Sequence, residues 1–141
     1  MPTRSASARY EGLGRDGHGQ ISTQSGVLMD TSYGFGTRFG DEPGTNPEEL
    51  LGAAHAGCFT MALSFALAGA GYEAGTLDTT AKVTVDKDGD GFTITKSALT
   101  LKAQVEGIGE DEFARVAQEA KQNCPLSKAI NAEITLDYQL N

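Results

Sequence analysis

Cys58 and Cys124 are the only two cysteines in the 141-residue chain. Cys58 lies inside an apolar, helix-patterned run, and Cys124 falls where a second helical run stops against Pro125. Neither position suits a surface staple. A zinc site made from Cys58, Cys124, His55 and a carboxylate would lack the C-x-x-C or His-x-x-x-His spacing that metal cages use. Two thiols near helices in a reducing compartment point instead to redox chemistry. Each cysteine also has an inert reading, because free cysteine is among the most buried residue types and Cys124 suits a corner between helices. Helix dipoles do not order the pair: Cys124 follows one helix C-terminus, which disfavours a thiolate, and precedes another N-terminus, which favours one. The residues alone leave the nucleophile open.

The elements that must position these thiols are legible around them. Thr45-Asn46-Pro47-Glu48-Glu49 reads as a helix start. Asn46 caps free N–H groups, Pro47 suits the first helical position because it has no N–H to lose, and Glu49 falls three residues after the cap. The helix is predicted to run to about Ala68 and to end at Gly69-Ala70-Gly71. Leu50, Ala54, Cys58, Met61 and Phe65 recur at spacings of three and four, which predicts an apolar face carrying Cys58. Gly52, Ala53, Ala56 and Gly57 keep the other faces thin, so close approach by other elements or a second copy is expected, with burial nearly all round. Glu110 to Asn123, with Phe113, Val116, Ala117 and Ala120 on one face, predicts the helix that ends at Cys124, and Leu126 to Ile130 a short third one.

Strands account for the remainder. Ala8 to Leu28 alternates around Gly12, Gly14, Gly17 and Gly19 as a hairpin ending near Gly26, and Tyr33 to Gly44 reads as a strand end or long loop. Leu77 to Lys87 and Phe92 to Val105 flank an Asp88-Gly89-Asp90-Gly91 hairpin turn, and Glu133 to Leu140 alternates as a closing strand. Asp86, Asp88 and Asp90 read as a solvated turn, since the glutamate that completes a calcium-binding EF-hand loop is missing. This order describes an α+β protein, read as a single domain over residues 1–141.

Composition narrows the function further. A net charge of −8 argues against binding a nucleic-acid backbone and favours a small-molecule or protein partner. The first residues lack the apolar core of a signal peptide, and the Ala53–Ala68 stretch is broken by His55, Gly57, Thr60 and Ser64, so neither secretion nor a membrane span is expected. A cytoplasmic protein is the expectation.

Three segments carry a resemblance. Tyr33-Gly34-Phe35-Gly36-Thr37-Arg38-Phe39, Gly44 through Phe59 (GTNPEELLGAAHAGCF) and Asn123-Cys124-Pro125 resemble the OsmC family of osmotically inducible organic hydroperoxide reductases, as does the tail Ala132 to Tyr138. The likeness extends from about Ala8 to Leu140 and sides with the OsmC branch over the sister organic hydroperoxide resistance branch. It implies an OsmC-like fold, with antiparallel sheets wrapped around central helices in an intertwined homodimer, and active sites at the subunit interface.

It also implies a thiol peroxidase of the osmotic and oxidative stress response that needs no haem, flavin or metal. Cys58 would attack the peroxide and become a sulfenic acid, Cys124 would condense with it to a disulfide, and an external dithiol, lipoyl-type or other, would restore both thiols. By the same resemblance Arg38 is the catalytic arginine and Glu48 the carboxylate that orients it. Arg15, in Gly14-Arg15-Asp16-Gly17, resembles the place where the sister branch keeps its arginine. His55, one turn before Cys58, is expected to pack or hydrogen-bond rather than to serve as a base. Glu48 and Cys58 are separated by about 15 Å of helix rise, so Glu48 is expected to act on the partner chain's site. Phe59, Met61, Leu51 and Phe35 are expected around an apolar mouth that prefers alkyl or lipid hydroperoxides to hydrogen peroxide. The competing class is a non-enzymatic stress or ligand-binding protein of the same shape with structural cysteines.

A magnitude assigns the arginine its task. A thiol of pKa about 8.5 is a few per cent ionised near neutrality, so full ionisation raises the reactive fraction roughly 30-fold at most. Lowering the pKa by about three units costs roughly 20-fold in intrinsic nucleophilicity. The two nearly cancel, which leaves the arginine to hold the peroxide and stabilise the departing alkoxide.

Overall fold

The computed structural model describes residues 1–141 and divides into two units, Met1–Leu50 and Leu51–Asn141. In the first, β1 (Ala6–Glu11) and β2 (His18–Thr23) form the expected antiparallel hairpin, and β3 (Thr31–Tyr33) adds a third strand beside β2. The segment predicted as a strand end or loop instead folds into a short helix, α1 (Phe35–Phe39). Its first turn is closed by Thr37, whose hydroxyl accepts from the Gly34 N–H at 2.8 Å and donates to the Gly34 carbonyl at 3.0 Å. Gly44 adopts a φ of +145° against the Ser32 carbonyl, where a Cβ would collide with that oxygen.

Helix α2 (Pro47–Gly69) begins in the first unit and continues through the second. Its cap is the predicted one: Asn46 Oδ1 accepts from the Glu49 N–H at 2.8 Å. The amide of Asn46 also donates to the Thr37 carbonyl at 3.0 Å, tying α1 to the start of α2. Glu49 accepts the Thr45 hydroxyl at 2.8 Å, so the residue before the cap, rather than the cap itself, meets its carboxylate.

The second unit carries a sheet of order β4-β5-β6, from β4 (Gly75–Asp88), β5 (Gly91–Val105) and β6 (Glu133–Leu140). β4 and β5 form the long hairpin, while β6 runs parallel to β5. A parallel return needs a crossover, and α3 (Glu110–Asn123) with α4 (Pro125–Ala129) supplies it. The alternating residues Ser97, Leu99, Leu101, Ala103 and Val105 of β5 are buried, and Phe113, Val116, Ala117 and Ala120 of α3 complete the core with Cys124. The α+β class holds.

The face that α2 gives to this core is not the predicted one. His55, Phe59, Leu63 and Leu67, four residues apart, are buried, whereas Met61 is 62% and Phe65 72% exposed. The helix is apolar on both faces, so periodicity cannot choose between them, and the core of the second unit takes the Phe59, Leu63 and Leu67 face. Expected burial nearly all round is therefore not met within the chain. Gly52 comes close enough to β4 that a Cβ would lie 3.3 Å from the Ala81 carbonyl, and Thr60 donates to Thr79 Oγ1 at 2.6 Å. By length and composition α2 is apolar enough to cross a membrane, yet its Phe59, Leu63 and Leu67 belong to the core cluster of the second unit.

Candidate active site

The two thiols meet. Cys58 projects from the middle of α2, half-buried, and Cys124 is the fully buried junction between α3 and α4. Pro125 forces this junction, since it cannot continue α3 but can open α4 as its first residue. Both cysteines are reduced, and their side chains are hydrogen-bonded to each other. The Leu126 N–H reaches both sulfurs, and the Ser127 N–H and hydroxyl reach Cys124.

These donors divide the pair. Burial pushes the Cys58 thiol above its ordinary pKa, and the hydrogen bond with Cys124 pushes it the same way. Burial alone would also raise Cys124, but the hydrogen bond from Cys58 and the donors of Leu126 and Ser127 outweigh it and set Cys124 below its ordinary value. The hydrogen bond between the sulfurs therefore favours ionisation of Cys124 over that of Cys58. The sulfur that solvent can reach is Cys58.

Arg38 and Glu48 also meet, within the first unit. Arg38 Nε donates to both oxygens of Glu48, at 2.9 and 3.2 Å, and Nη2 to Oε1 at 2.6 Å. The Nη1 group takes no part in this fork. Glu48 is 7% exposed, so the arginine is held by a carboxylate that has almost no other solvation. Glu48 and Glu49 both stand in the first turn of α2, where its dipole favours an anion, but only Glu48 pairs with Arg38.

Arg38 lines a cavity of about 310 Å³ with Tyr10, Tyr33, Phe35, Phe39, Pro47 and Arg15. Arg15 has its guanidinium carbon 4.1 Å from the centre of the Phe35 ring. Both candidate arginines thus face one aromatic pocket, and Arg38 is the one clamped by a carboxylate. Phe35 lines this pocket beside the arginines. Phe59 does not: it is fully buried in the core, because successive helical residues point about 100° apart, whereas Cys58 packs at the edge of that core and is only partly buried.

His55 is fully buried, with Nδ1 2.7 Å from Ser97 Oγ and Nε2 2.9 Å from Ser127 Oγ. It packs and hydrogen-bonds, as expected. Sequence does not single out Ser97 and Ser127, although Ser97 is the one polar residue of the buried β5 stripe, at its start. No group of three or more His, Cys, Asp or Glu side chains is placed to hold a metal ion.

Paired reduced thiols, one accessible and one buried among hydrogen-bond donors, on an α+β scaffold, define a cysteine-based redox protein. Residues 40–139 match the family model described as OsmC-like protein. The chain belongs to the OsmC-like protein family. It is 54% identical over 133 residues to Peroxiredoxin OsmC of Escherichia coli, covering 94% of this chain and 93% of that one. It is 34% identical over 100 residues to the organic hydroperoxide resistance protein OhrA of Bacillus subtilis, covering 68% of each. Among solved structures, an organic hydroperoxide resistance protein from Elizabethkingia anophelis superposes with a TM-score of 0.77 at 28% identity, over all of this chain and 98% of that one.

Proposed function

We propose that this protein is a cysteine-based peroxidase that reduces organic hydroperoxides to alcohols. The carrying observation is the hydrogen-bonded pair in which only Cys58 is accessible. Cys58 gives its proton to solvent, and the Cys58 thiolate attacks the distal peroxide oxygen. An S–O bond forms, the O–O bond breaks, and the alkoxide takes a proton from solvent to leave as alcohol. The Cys124 sulfur then attacks the sulfenic sulfur of Cys58. As the S–S bond forms, hydroxide departs with the Cys124 thiol proton, as water. An external dithiol, lipoyl-type or other, regenerates the thiols by exchange.

Arg38 is the catalytic arginine in this reading. Glu48 fixes its Nε/Nη2 edge, which leaves Nη1 to hold the peroxide and the developing alkoxide. The aromatic pocket beside Arg38 suits an aryl or alkyl substituent better than hydrogen peroxide.

The functional unit in this proposal is a homodimer in which the partner subunit's Arg38 and Glu48 serve Cys58. Two features support it: about 15 Å of helix rise separates Glu48 from Cys58 on one α2, and Met61 and Phe65 leave an apolar face uncovered. A cytoplasmic location fits two thiols kept free. Dithiol-dependent turnover of cumene hydroperoxide tests the activity: the wild type is active, and full turnover by Cys58→Ser would remove the assignment.

A further inference from the structure

His55 has no part in the peroxide chemistry just described, yet it is the most expensive residue in the second unit to bury. A fully buried imidazole costs stability unless both nitrogens find partners, and an apolar side chain would fill the same space without that requirement. Both nitrogens are satisfied by hydroxyls, Ser97 from β5 and Ser127 from α4. Burial holds the imidazole pKa below its ordinary value, so the ring is neutral near neutral pH. A neutral ring donates from one nitrogen and accepts at the other.

Ser127 decides which. Its hydroxyl also touches the Cys124 sulfur. If that hydroxyl donates to sulfur, its oxygen must accept from Nε2–H, and Nδ1 must then accept from the Ser97 hydroxyl. The four groups form one directed chain, Ser97 to His55 to Ser127 to Cys124. Every bond in it strengthens the next.

Resting on the peroxidase reading, we propose that His55 is a positioning residue for disulfide formation, and that with Ser97 it locks the Ser127 hydroxyl as a donor to the Cys124 sulfur. The lock matters most in the second half of the reaction. In the reduced pair Cys124 receives a hydrogen bond from the Cys58 thiol. Once Cys58 is a sulfenic acid that thiol is gone, and the donors left to stabilise negative charge on Cys124 are the Leu126 and Ser127 N–H groups and the Ser127 hydroxyl. Cys124 must lose its proton as it attacks. A hydroxyl free to rotate would spend part of its time facing elsewhere; one held by Nε2–H cannot.

Three variants and two readouts test this. Ser127→Ala removes the donor, whereas Ser127→Thr keeps a hydroxyl in place. Ser97→Ala touches neither sulfur and releases only the far end of the chain. Reduced protein is mixed with one equivalent of cumene hydroperoxide in stopped flow, Cys58 sulfenic acid is trapped by a dimedone-type nucleophile, and disulfide is followed by mass spectrometry. In Ser127→Ala, sulfenic acid accumulates and disulfide forms about tenfold more slowly, as expected for one hydrogen bond to a charged group. Ser97→Ala shows a smaller delay in the same direction, and Ser127→Thr restores the rate.

The second readout is independent of peroxide. The thiolate absorbance of Cys124, titrated in a Cys58→Ser background, moves to higher pH in Ser127→Ala and in Ser97→Ala. In the native pair, Cys58 and, through Ser127, His55 are the titratable groups in contact with it. Wild-type titration and wild-type resolution in Ser97→Ala would overturn the relay. Absence of Cys58 sulfenic acid and disulfide in the unmodified protein would instead overturn the peroxidase reading, while the titration would still report on the relay.

Discussion

Replacing Arg38 by alanine separates what the arginine does for the fold from what it does for the reaction. The side chain makes three N–H···O bonds to Glu48, and the carboxylate is 7% exposed. Removing one partner of a buried ion pair strands the other and costs about 3–5 kcal/mol. The lower end applies here, because the arginine side chain is 37% exposed and water can reach the gap. At roughly 4 °C per kcal/mol for a chain of this size, a loss of about 3 kcal/mol lowers Tm by about 12 °C. Removing both partners, in Arg38→Ala/Glu48→Ala, leaves no stranded charge and recovers most of that loss. Activity behaves differently. Loss of a donor aimed at the developing alkoxide costs about 10²–10³ in kcat/KM, and the double variant stays at that level. Thermal unfolding and turnover of cumene hydroperoxide, measured on all three proteins, check both halves. If the double variant regained activity together with stability, the arginine would be a structural clamp and the catalytic role would be wrong. Recovery of full rate by the single variant merely on raising the pH would instead reduce the arginine's role to thiol ionisation and remove its role at the alkoxide.

Other outcomes follow from the same geometry. Cys124→Ser should reduce one hydroperoxide per chain and stop at an oxidised Cys58, seen as a single added oxygen by mass spectrometry. Its first step should also reach half-maximal rate at lower pH than in the wild type: Cys124 helps to push the Cys58 thiol up, a raised thiol is less ionised at a given pH, and removing that cause moves the profile to the acid side; an unmoved or more alkaline midpoint would contradict it. Arg15→Ala should cost a few-fold in kcat/KM, from a cation–π contact worth about 0.5–1 kcal/mol, and a loss as large as that of Arg38→Ala would reassign the catalytic arginine. Mixing refolded Cys58→Ser with Arg38→Ala should restore activity, because a hybrid dimer holds one site with Cys58 from one chain and Arg38 from the other. Continued silence of a verified hybrid would place both residues of each site on one chain.

Much of this arrangement was legible because it is local. The Asn46 cap, the Asp88–Gly91 turn, the buried face of α3 and the alternation of β6 each depend on residues a few positions apart, and all appear as read. The buried face of α2 is not legible in the sequence, because Cys58, Met61 and Phe65 are as apolar as Phe59, Leu63 and Leu67, and only the placement of the sheet chooses between them. Helix α1 is hidden in the sequence because Gly34, Gly36 and Gly40 mask a five-residue turn that Thr37 closes. The meeting of Cys58 with Cys124 and of Arg38 with Glu48 came from resemblance, not from spacing. The His55 partners lie 42 and 72 residues away in sequence, beyond any local pattern. Polar residues in apolar stripes, such as His55 on α2 and Ser97 on β5, are the signal that points to such pairs.

The most direct measurement is a single stoichiometric oxidation. Reduced protein receives one equivalent of cumene hydroperoxide and is digested without reductant for peptide mass spectrometry, with the alcohol product quantified alongside. The expected result is one alcohol per chain and an intrachain bond joining the Cys58 and Cys124 peptides, with neither product in Cys58→Ser. Consumption of the hydroperoxide with both thiols still free would contradict it.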